Sequence, residues 1–259
     1  MGSTRFSARW LAVTVGASMR EVCKFQRDHE WFQAKLGKVS ASNMKKVLMG
    51  KDTDAHKDYA LKVAWELWTG LTPENYVSPE MQIGIDLESE ARRKYLIRTG
   101  RDVKLTGFVL HPTLDYFGAS PDGLLLPEGG VEFKVVKPIT QRRYIRDGVV
   151  PKDYVPQVQA CMLCCEQPWW DFVSYCPPDM YPEMPLKAIL FVVRAVADNP
   201  YHRVMEDAVT TFMGEVAALV LKLDANCPEL PKVEEAQDEF AGLGAGLDDK
   251  DLDQIWKEK

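Results

Sequence analysis

The sequence contains no long apolar run. Its longest runs, such as Ala188–Val193, are far shorter than the ~18 residues that a membrane-spanning helix needs. The opening segment Met1–Val15 is mixed and has no continuous apolar core, so it is a poor signal peptide. We therefore expect a protein with no membrane partner.

Cysteine and histidine are few and are not spaced for a structural role. The six cysteines, three of them crowded at Cys161, Cys164 and Cys165, do not form the spaced framework of a disulfide-rich protein, which favours a reducing, cytoplasmic setting. Packing on one helix face is the favoured interpretation of these three, and an iron–sulfur cluster that also uses Cys176 and Cys23 is the alternative. The four histidines are scattered and form no zinc pattern.

An excess of basic residues is also missing, because the net charge is −6. The segment Glu229–Lys259 carries ten acidic and four basic residues and accounts for the whole of that charge, so the residues before it are balanced. The acidic composition therefore excludes only the simple argument from a strongly basic domain. The composition does not exclude that residues 1–228 bind a polyanion such as a nucleic acid.

The pattern of apolar residues predicts one mixed α/β domain at 21–228, preceded by an extension at 1–20 and followed by an acidic, flexible tail at 229–259. A partial cloning origin is one interpretation of the extension. Helices are predicted at 20–33, 42–48, 58–69, 78–98, 154–166, 201–223 and, in the tail, 252–256. Strands are predicted at 103–111, 116–119, 123–126, 131–136, 170–176 and 188–196. This order indicates a central mixed β-sheet flanked by helices.

Two acids and one lysine fall in the centre of the predicted sheet. The strand 131–136 is apolar except for Glu132 and Lys134, and Asp122 ends the preceding turn. Residues two apart in a strand share a face, so Glu132 and Lys134 point the same way and Phe133 points into the opposite layer. Asp122 joins them if the hairpin connection has an odd length, or if the first strand has a bulge or an unpaired start.

Such a group has a chemical use. Hard oxygen ligands suit Mg²⁺ or Mn²⁺ and leave room for phosphate oxygens, and a nearby lysine can orient the attacking water. The alternative is that Asp122 caps a turn and that Glu132 and Lys134 form a solvated pair. On the helix predicted at 78–98, Glu88 falls in the apolar stripe and would face inward, the alternative being an i,i+4 pair with Arg92.

These residues resemble the D…E-x-K signature of the PD-(D/E)xK nuclease superfamily. The wider pattern is similar to the YqaJ-type viral recombinases, the lambda exonuclease family, over about residues 27–220. Five blocks match in order: Trp31, Lys35-Leu36-Gly37 and Ser40-Ala41-Ser42; Gly84, Glu88 and Ala91; Ser120-Pro121-Asp122-Gly123-Leu124; Glu132-Phe133-Lys134; and Tyr154, Gln157-Val158-Gln159 and Met162.

The resemblance implies a hydrolase with a restriction-endonuclease-like core that uses two Mg²⁺ or Mn²⁺ ions. The implied metal ligands are Asp122, Glu132, the main-chain carbonyl of Phe133 and, directly or through water, Glu88. Lys134 would activate or orient the nucleophilic water, and Gln157 would hold that water or the scissile phosphate. Tyr154 and Gln159 are further candidates for the same site.

The resemblance also implies a pocket for the 5′-terminal phosphate, formed by Lys35, Ser42 and Ser120. The family has an arginine at the position of Lys35. Lysine binds phosphate as a point charge, without the bidentate guanidinium fork, so this pocket would be weaker or differently arranged.

The activity implied by the family is 5′→3′ digestion of double-stranded DNA from its ends, which leaves 3′ single-stranded tails for phage-type recombination. A homotrimeric ring around the DNA, a single-strand annealing protein as partner and the cytoplasm of a bacterial or phage-infected cell follow from the same resemblance. The basic residues between 130 and 155 fit a channel lining, with a solvated loop as the alternative. An endonuclease or repair nuclease on the same fold, or an inactive DNA-end-binding recombination protein, are the alternative functions.

Overall fold

The structure, a computed structural model, describes residues 19–71 and 78–227. The predicted acidic tail, its helix at 252–256 and almost all of the predicted N-terminal extension lie outside the described residues. The chain divides into one unit of Met1–Val220 and a second of Leu221–Lys259. All residues of the candidate site belong to the first unit.

The described residues form nine strands and seven α-helices. The strands are β1 (Arg20–Glu21), β2 (Val39–Ser40), β3 (Val103–Lys104), β4 (Val109–Leu110), β5 (Phe117–Ala119), β6 (Gly123–Leu125), β7 (Gly130–Val135), β8 (Trp169–Tyr175) and β9 (Leu190–Val196). The helices are α1 (His29–Lys35), α2 (Met44–Val47), α3 (Asp54–Thr69), α4 (Pro79–Thr99), α5 (Pro138–Asp147), α6 (Val155–Cys165) and α7 (Asn199–Asn226). Short 3₁₀ helices lie at Ala41–Asn43 and Leu186–Ala188.

Two sheets organise these elements and confirm the predicted mixed α/β class. The larger has the order β3-β6-β7-β8-β9, with β7 and β8 parallel and the other pairs antiparallel. The smaller has the order β1-β4-β5-β2. Successive side chains of β7 point to opposite faces of the sheet. Phe133 packs edge-on against Tyr95 of α4 on one face. Glu132 lies on the other face, beside Phe172, which packs against Tyr154.

Helix α4 is capped at both ends. Ser78 is its N-cap and accepts a hydrogen bond from the N–H of Met81 at 3.2 Å, and Pro79 occupies the first turn. Gly100 ends the helix with φ of 68°, a left-handed conformation that glycine adopts without strain. No helix among the described residues is long and apolar enough to cross a membrane.

The predicted helix at 20–33 is wrong in its first part. Arg20–Glu21 is a strand that pairs with β4, and the helix begins only at His29. Asp28 fixes that start because its carboxylate accepts a hydrogen bond from the N–H of Trp31 at 2.8 Å. The single strand predicted at 103–111 is likewise two short strands, β3 and β4, which belong to different sheets.

Helix α5 was not predicted, and the solvated-loop alternative is wrong for residues 138–147. The helix carries recognisable end signals, since Pro138 occupies its first turn and Gly148 ends it with φ of 66°. Its arginines Arg142, Arg143 and Arg146 are all exposed. The basic stretch is therefore partly an ordered helical surface.

Candidate active site

The hairpin between β6 and β7 places Asp122 on the same face as Glu132. The N–H of Leu125 donates to the carbonyl of Gly129 at 2.9 Å, so three residues, 126–128, form the connection. Extended by one more pair, the same register sets Asp122 opposite Glu132. The odd connection that the sequence hypothesis required is present.

Asp122 directly precedes β6 and lies beside the part of β7 that extends past β6. Its carboxylate accepts a hydrogen bond from the N–H of Phe133 at 2.7 Å. In a strand the N–H and the carbonyl of one residue point toward the same edge. The main-chain carbonyl of Phe133 therefore points to the edge at which the Asp122 carboxylate lies.

Glu132 is almost fully buried, with 1% of its surface exposed. Its Oε1 accepts hydrogen bonds from Nζ of Lys134 at 2.5 Å and from Nε2 of Gln157 at 2.6 Å. Its Oε2 is buried and has no hydrogen-bond partner among the described residues. This burial contradicts the alternative of a solvated surface pair and leaves one carboxylate oxygen free for a ligand.

The charges of this group are strongly coupled. Burial raises the pKa of Asp122 well above its ordinary value, and the charge of Glu132 raises it further. Burial alone would lower the pKa of Lys134, but the charges of Glu132 and Asp122 outweigh it and raise that pKa. Lys134 is therefore a firmly held cation between two carboxylates that would otherwise repel one another.

The donor set suits a hard divalent cation. The Asp122 carboxylate, the free Oε2 of Glu132 and the carbonyl of Phe133 are oxygen donors, the type that Mg²⁺ and Mn²⁺ prefer. A cation here would favour the ionised form of Asp122 and would satisfy Oε2. In the part of the chain that the structure describes, no three Asp, Glu, His or Cys side chains lie close enough to hold a metal by themselves. Main-chain oxygen and water would therefore have to complete the coordination.

Glu88 lines the same cavity but is held by two arginines. Its Oε1 accepts from Arg92 and its Oε2 from Arg27, both at 3.0 Å. Both predictions for Glu88 thus hold in part, because the i,i+4 pair forms and the carboxylate still borders the site. Direct metal binding by Glu88 would require it to exchange an arginine.

We call Asp122, Glu132 and Lys134 the acidic group. One cavity of about 690 Å³ joins this group to the predicted phosphate pocket, since Asp122, Lys134 and Lys35 all line it. Nζ of Lys35 lies 3.7 Å from the centroid of the Trp31 ring, and Nε1 of Trp31 donates to Oγ of Ser120 at 2.8 Å. Trp31 therefore links Lys35, which lines the cavity, to Ser120, which lies behind Trp31 and is not among the lining residues.

Ser42 stands at the margin of this pocket. It is exposed, and its Oγ lies 3.1 Å from Oγ of Ser40, which lines the cavity. Lys62 also lines the cavity, although nothing in the sequence pattern marks it. Burial and, next, the charge of Lys62 lower the pKa of Lys35 to about 8.

The further candidates Tyr154 and Gln159 separate. The ring centroid of Tyr154 lies 5.3 Å from Nζ of Lys134, so Tyr154 belongs to the site. Gln159 instead donates to the carbonyl of Val196 at 2.8 Å and accepts from the N–H of Asp198 at 3.1 Å. The prediction that placed Gln159 with the site is therefore corrected, because Gln159 ties α6 to the end of β9.

The cysteines pack as apolar side chains. Cys161, Cys164 and Cys165 are buried free thiols on α6, and Cys176 and Cys23 are also buried and free. The finding that the described residues contain no metal-binding cysteine group argues against the iron–sulfur alternative. Burial raises the pKa of all three α6 thiols, as expected for inert side chains.

Comparison with known protein families decides the relationship. Residues 30–168, more than half of the chain, match the model of the YqaJ-like viral recombinase domain. The chain belongs to this family. The matched range contains every candidate site residue from Lys35 to Gln159.

Solved structures agree with this membership of the YqaJ-like family. The alkaline exonuclease LHK-Exo of Laribacter hongkongensis is 33% identical with a TM-score of 0.70, and covers 77% of this chain and 98% of its own. Its complex with dAMP gives 32% identity, the same TM-score and the same coverage. A phage-related exonuclease from Haemophilus somnus 129PT, 15% identical with a TM-score of 0.58 over 72% of this chain and 96% of its own, shares the fold. No curated protein sequence matches the chain significantly.

Proposed function

We propose that this YqaJ-like protein is a Mg²⁺- or Mn²⁺-dependent 5′→3′ exonuclease that acts on double-stranded DNA. The observation that carries the proposal is the buried Glu132, which has one free oxygen, lies opposite Asp122 and holds Lys134 at 2.5 Å. Membership of a viral recombinase family and likeness to alkaline exonucleases support a nuclease that serves recombination.

The chemistry is hydrolysis of a phosphodiester, in which water attacks phosphorus and the bond to the leaving 3′ oxygen breaks. Divalent ions held by Asp122, Glu132 and the Phe133 carbonyl would supply Lewis-acid chemistry to that step. Lys134 orients the water and balances charge on the phosphate. Gln157 fixes Glu132 through the 2.6 Å hydrogen bond to Oε1, which leaves Oε2 as the free oxygen of the carboxylate.

The polarity of digestion is proposed from the phosphate pocket. Lys35, packed on Trp31, shares the cavity with Asp122 and can bind a 5′-terminal phosphate while the next phosphodiester reaches the acidic group. The exposed arginines of α5 offer sequence-independent contacts to the DNA backbone. A trimeric ring on DNA, a single-strand annealing partner and action in the cytoplasm of a bacterial or phage-infected cell complete the proposal by family resemblance.

The proposal is tested with a linear duplex that carries 5′-phosphates and with a closed circular duplex of the same sequence. Release of mononucleotides from the 5′ ends of the linear DNA, dependent on Mg²⁺ and absent with the circle, is the expected result. Cleavage of the circle would favour an endonuclease or repair nuclease. Binding to DNA ends without hydrolysis under any divalent cation would favour an inactive end-binding protein.

Lys35 gives the preference for 5′-phosphate ends a pH dependence. Because its pKa is lowered to about 8, Lys35 is charged below that pH and loses its charge above it. The ratio of kcat/KM for 5′-phosphate over 5′-hydroxyl ends should therefore fall as the pH rises through about 8. A charge-assisted contact contributes about 1.5–3 kcal/mol, so Lys35→Ala should lower the ratio at pH 7 by roughly 10- to 100-fold.

Lys35→Arg is the matched variant for this prediction. Arginine keeps its charge at all working pH values and restores the bidentate fork, so the ratio should stay constant between pH 7 and 9.5. A Lys35→Arg protein with the pH profile of the wild type would assign the titration to another group.

Gln157 and Gln159 form a matched pair, because substitution of the first should lower activity and substitution of the second should lower stability. Gln157→Ala should lower kcat by roughly tenfold or more, because Glu132 loses a charge-assisted hydrogen bond, while stability changes little. Gln159→Ala should reduce the free energy of unfolding by about 1–3 kcal/mol, because the buried His202 ring is left without its partner and the main-chain groups of Val196 and Asp198 lose a hydrogen bond. Urea unfolding and kcat, measured on both variants, check the pair, and equal loss of stability in both would contradict it.

A further inference from the structure

Arg27 has a strained backbone beside the site. Its φ is 70°, and Glu166, with φ of 52°, is the other non-glycine residue with positive φ among the described residues. In this left-handed region the Cβ of an L-residue crowds the backbone carbonyl. Strain of this kind persists where the surroundings impose it, and it is concentrated at functional sites.

The residues on either side hold Arg27 in this conformation. Nε2 of Gln26 donates to the carbonyl of Thr106 at 3.0 Å and to the carbonyl of Pro121 at 2.8 Å. Asp28 caps helix α1 on the other side. The turn at Gln26–Asp28 is thus bonded to Pro121, the residue that directly precedes Asp122. This bond sets the position of Arg27 relative to the acidic group.

The strained turn delivers a guanidinium to the cavity. Arg27 lines it together with Asp122 and Lys134, and 46% of its side chain is exposed. Its hydrogen bond to Glu88, from Nη2 at 3.0 Å, is the only one that it makes to the described residues. A guanidinium has five N–H donors, so the others remain available to a ligand in the cavity.

We propose that Arg27 is a substrate-binding residue that contacts a phosphate of the DNA strand inside the cavity. The inference rests on the proposed function, which places a DNA strand there. Glu88 fixes the guanidinium, and its planar fork matches two phosphate oxygens in a way that the ammonium of Lys35 does not. Arg27 lies outside the range 30–168 that matches the family model, and it belongs to none of the five blocks that carry the family resemblance.

Substitution by glycine separates the backbone strain from the phosphate contact. Arg27→Gly removes both, so its Tm should be equal to or above that of the wild type while its affinity for DNA falls about tenfold or more. The plot of log affinity against log salt concentration should become shallower by about 0.9, the effect of losing one phosphate contact. Binding is measured by fluorescence anisotropy with a 5′-phosphorylated duplex in EDTA, which prevents hydrolysis.

Glu166→Gly is the control, because it relieves the same kind of strain at the end of α6, away from the residues that line the cavity. Its Tm should also stay level or rise, and its salt dependence should equal that of the wild type. Arg27→Lys, which keeps the charge, should keep the salt slope with weaker binding.

An Arg27→Gly protein that binds DNA with the slope of the wild type would overturn the inference, even if its kcat falls through the loss of a partner for Glu88. An Arg27→Lys protein with the shallower slope would also overturn it. The nuclease assay on the wild type is a separate measurement. If the wild type hydrolyses no DNA but Arg27→Gly still has the shallower salt slope, the phosphate contact of Arg27 is supported and the proposed hydrolase is rejected.

Discussion

Lys134→Ala is expected to abolish DNA hydrolysis while the protein still folds. The Lys134 amine lines the cavity, touches Glu132 at 2.5 Å and is the cation whose charge both carboxylates stabilise. Without it, no amine is in place to orient the water or to meet the charge that develops on the phosphate. Loss of a positioned proton-transfer or orienting group lowers kcat by roughly 10²- to 10⁴-fold.

Metal binding distinguishes loss of this role from collapse of the site. Removing the amine makes the pocket more negative, so the affinity for Mn²⁺, measured by titration calorimetry, should be kept or increased. Lys137→Ala is the matched control, because Lys137 is exposed and precedes helix α5, and its kcat should stay near that of the wild type. Normal turnover by Lys134→Ala would remove the proposed role of this residue.

The pairing of Glu132 with Lys134 could be predicted because it depends only on the two-residue period of a strand. The position of Asp122 could not, since it depends on the parity of the hairpin connection. That parity is settled by one hydrogen bond, from Leu125 to Gly129, which leaves three residues in the turn. Sequence patterning gives the faces of each strand, and the register between strands comes from the turn.

The orientation of helix α6 could not be predicted from the sequence either. Gln157 and Gln159 both fall in the matched block, yet residues two apart on a helix point in nearly opposite directions. One therefore reaches Glu132 and the other reaches Val196. The sequence does not say which face of α6 meets the sheet, because apolar residues surround both glutamines.

The segment before α1 shows how tertiary contacts override a local pattern. Residues 20–33 have helical spacing, but Arg20 donates to the carbonyl of His111 at 2.8 Å and its strand pairs with β4. That pairing prevents a helix at residues 20–21, and the contacts of Gln26 and Asp28 fix the turn that holds Arg27. A residue placed by such contacts has no signature in the local sequence.

Asp122→Asn is expected to abolish both hydrolysis and stabilisation by Mg²⁺. The amide keeps the shape of the side chain and can still accept the hydrogen bond from Phe133, so the fold should be preserved. It removes one of two carboxylates that repel each other across the hairpin, so the Tm in EDTA should rise above that of the wild type. Loss of a metal ligand that contributes several kcal/mol to the transition state lowers kcat by about 10³-fold or more.

Thermal unfolding with and without Mg²⁺ measures the first effect, and nucleotide release measures the second. The wild type should gain Tm as Mg²⁺ is added, because a ligand that binds the folded state stabilises it. Asp122→Asn should not, whereas Asp179→Asn, the same change at an exposed position, should behave as the wild type. A variant that keeps the Mg²⁺-dependent rise in Tm would show that the ion binds without Asp122. The shared metal site inferred from the hairpin would then be wrong.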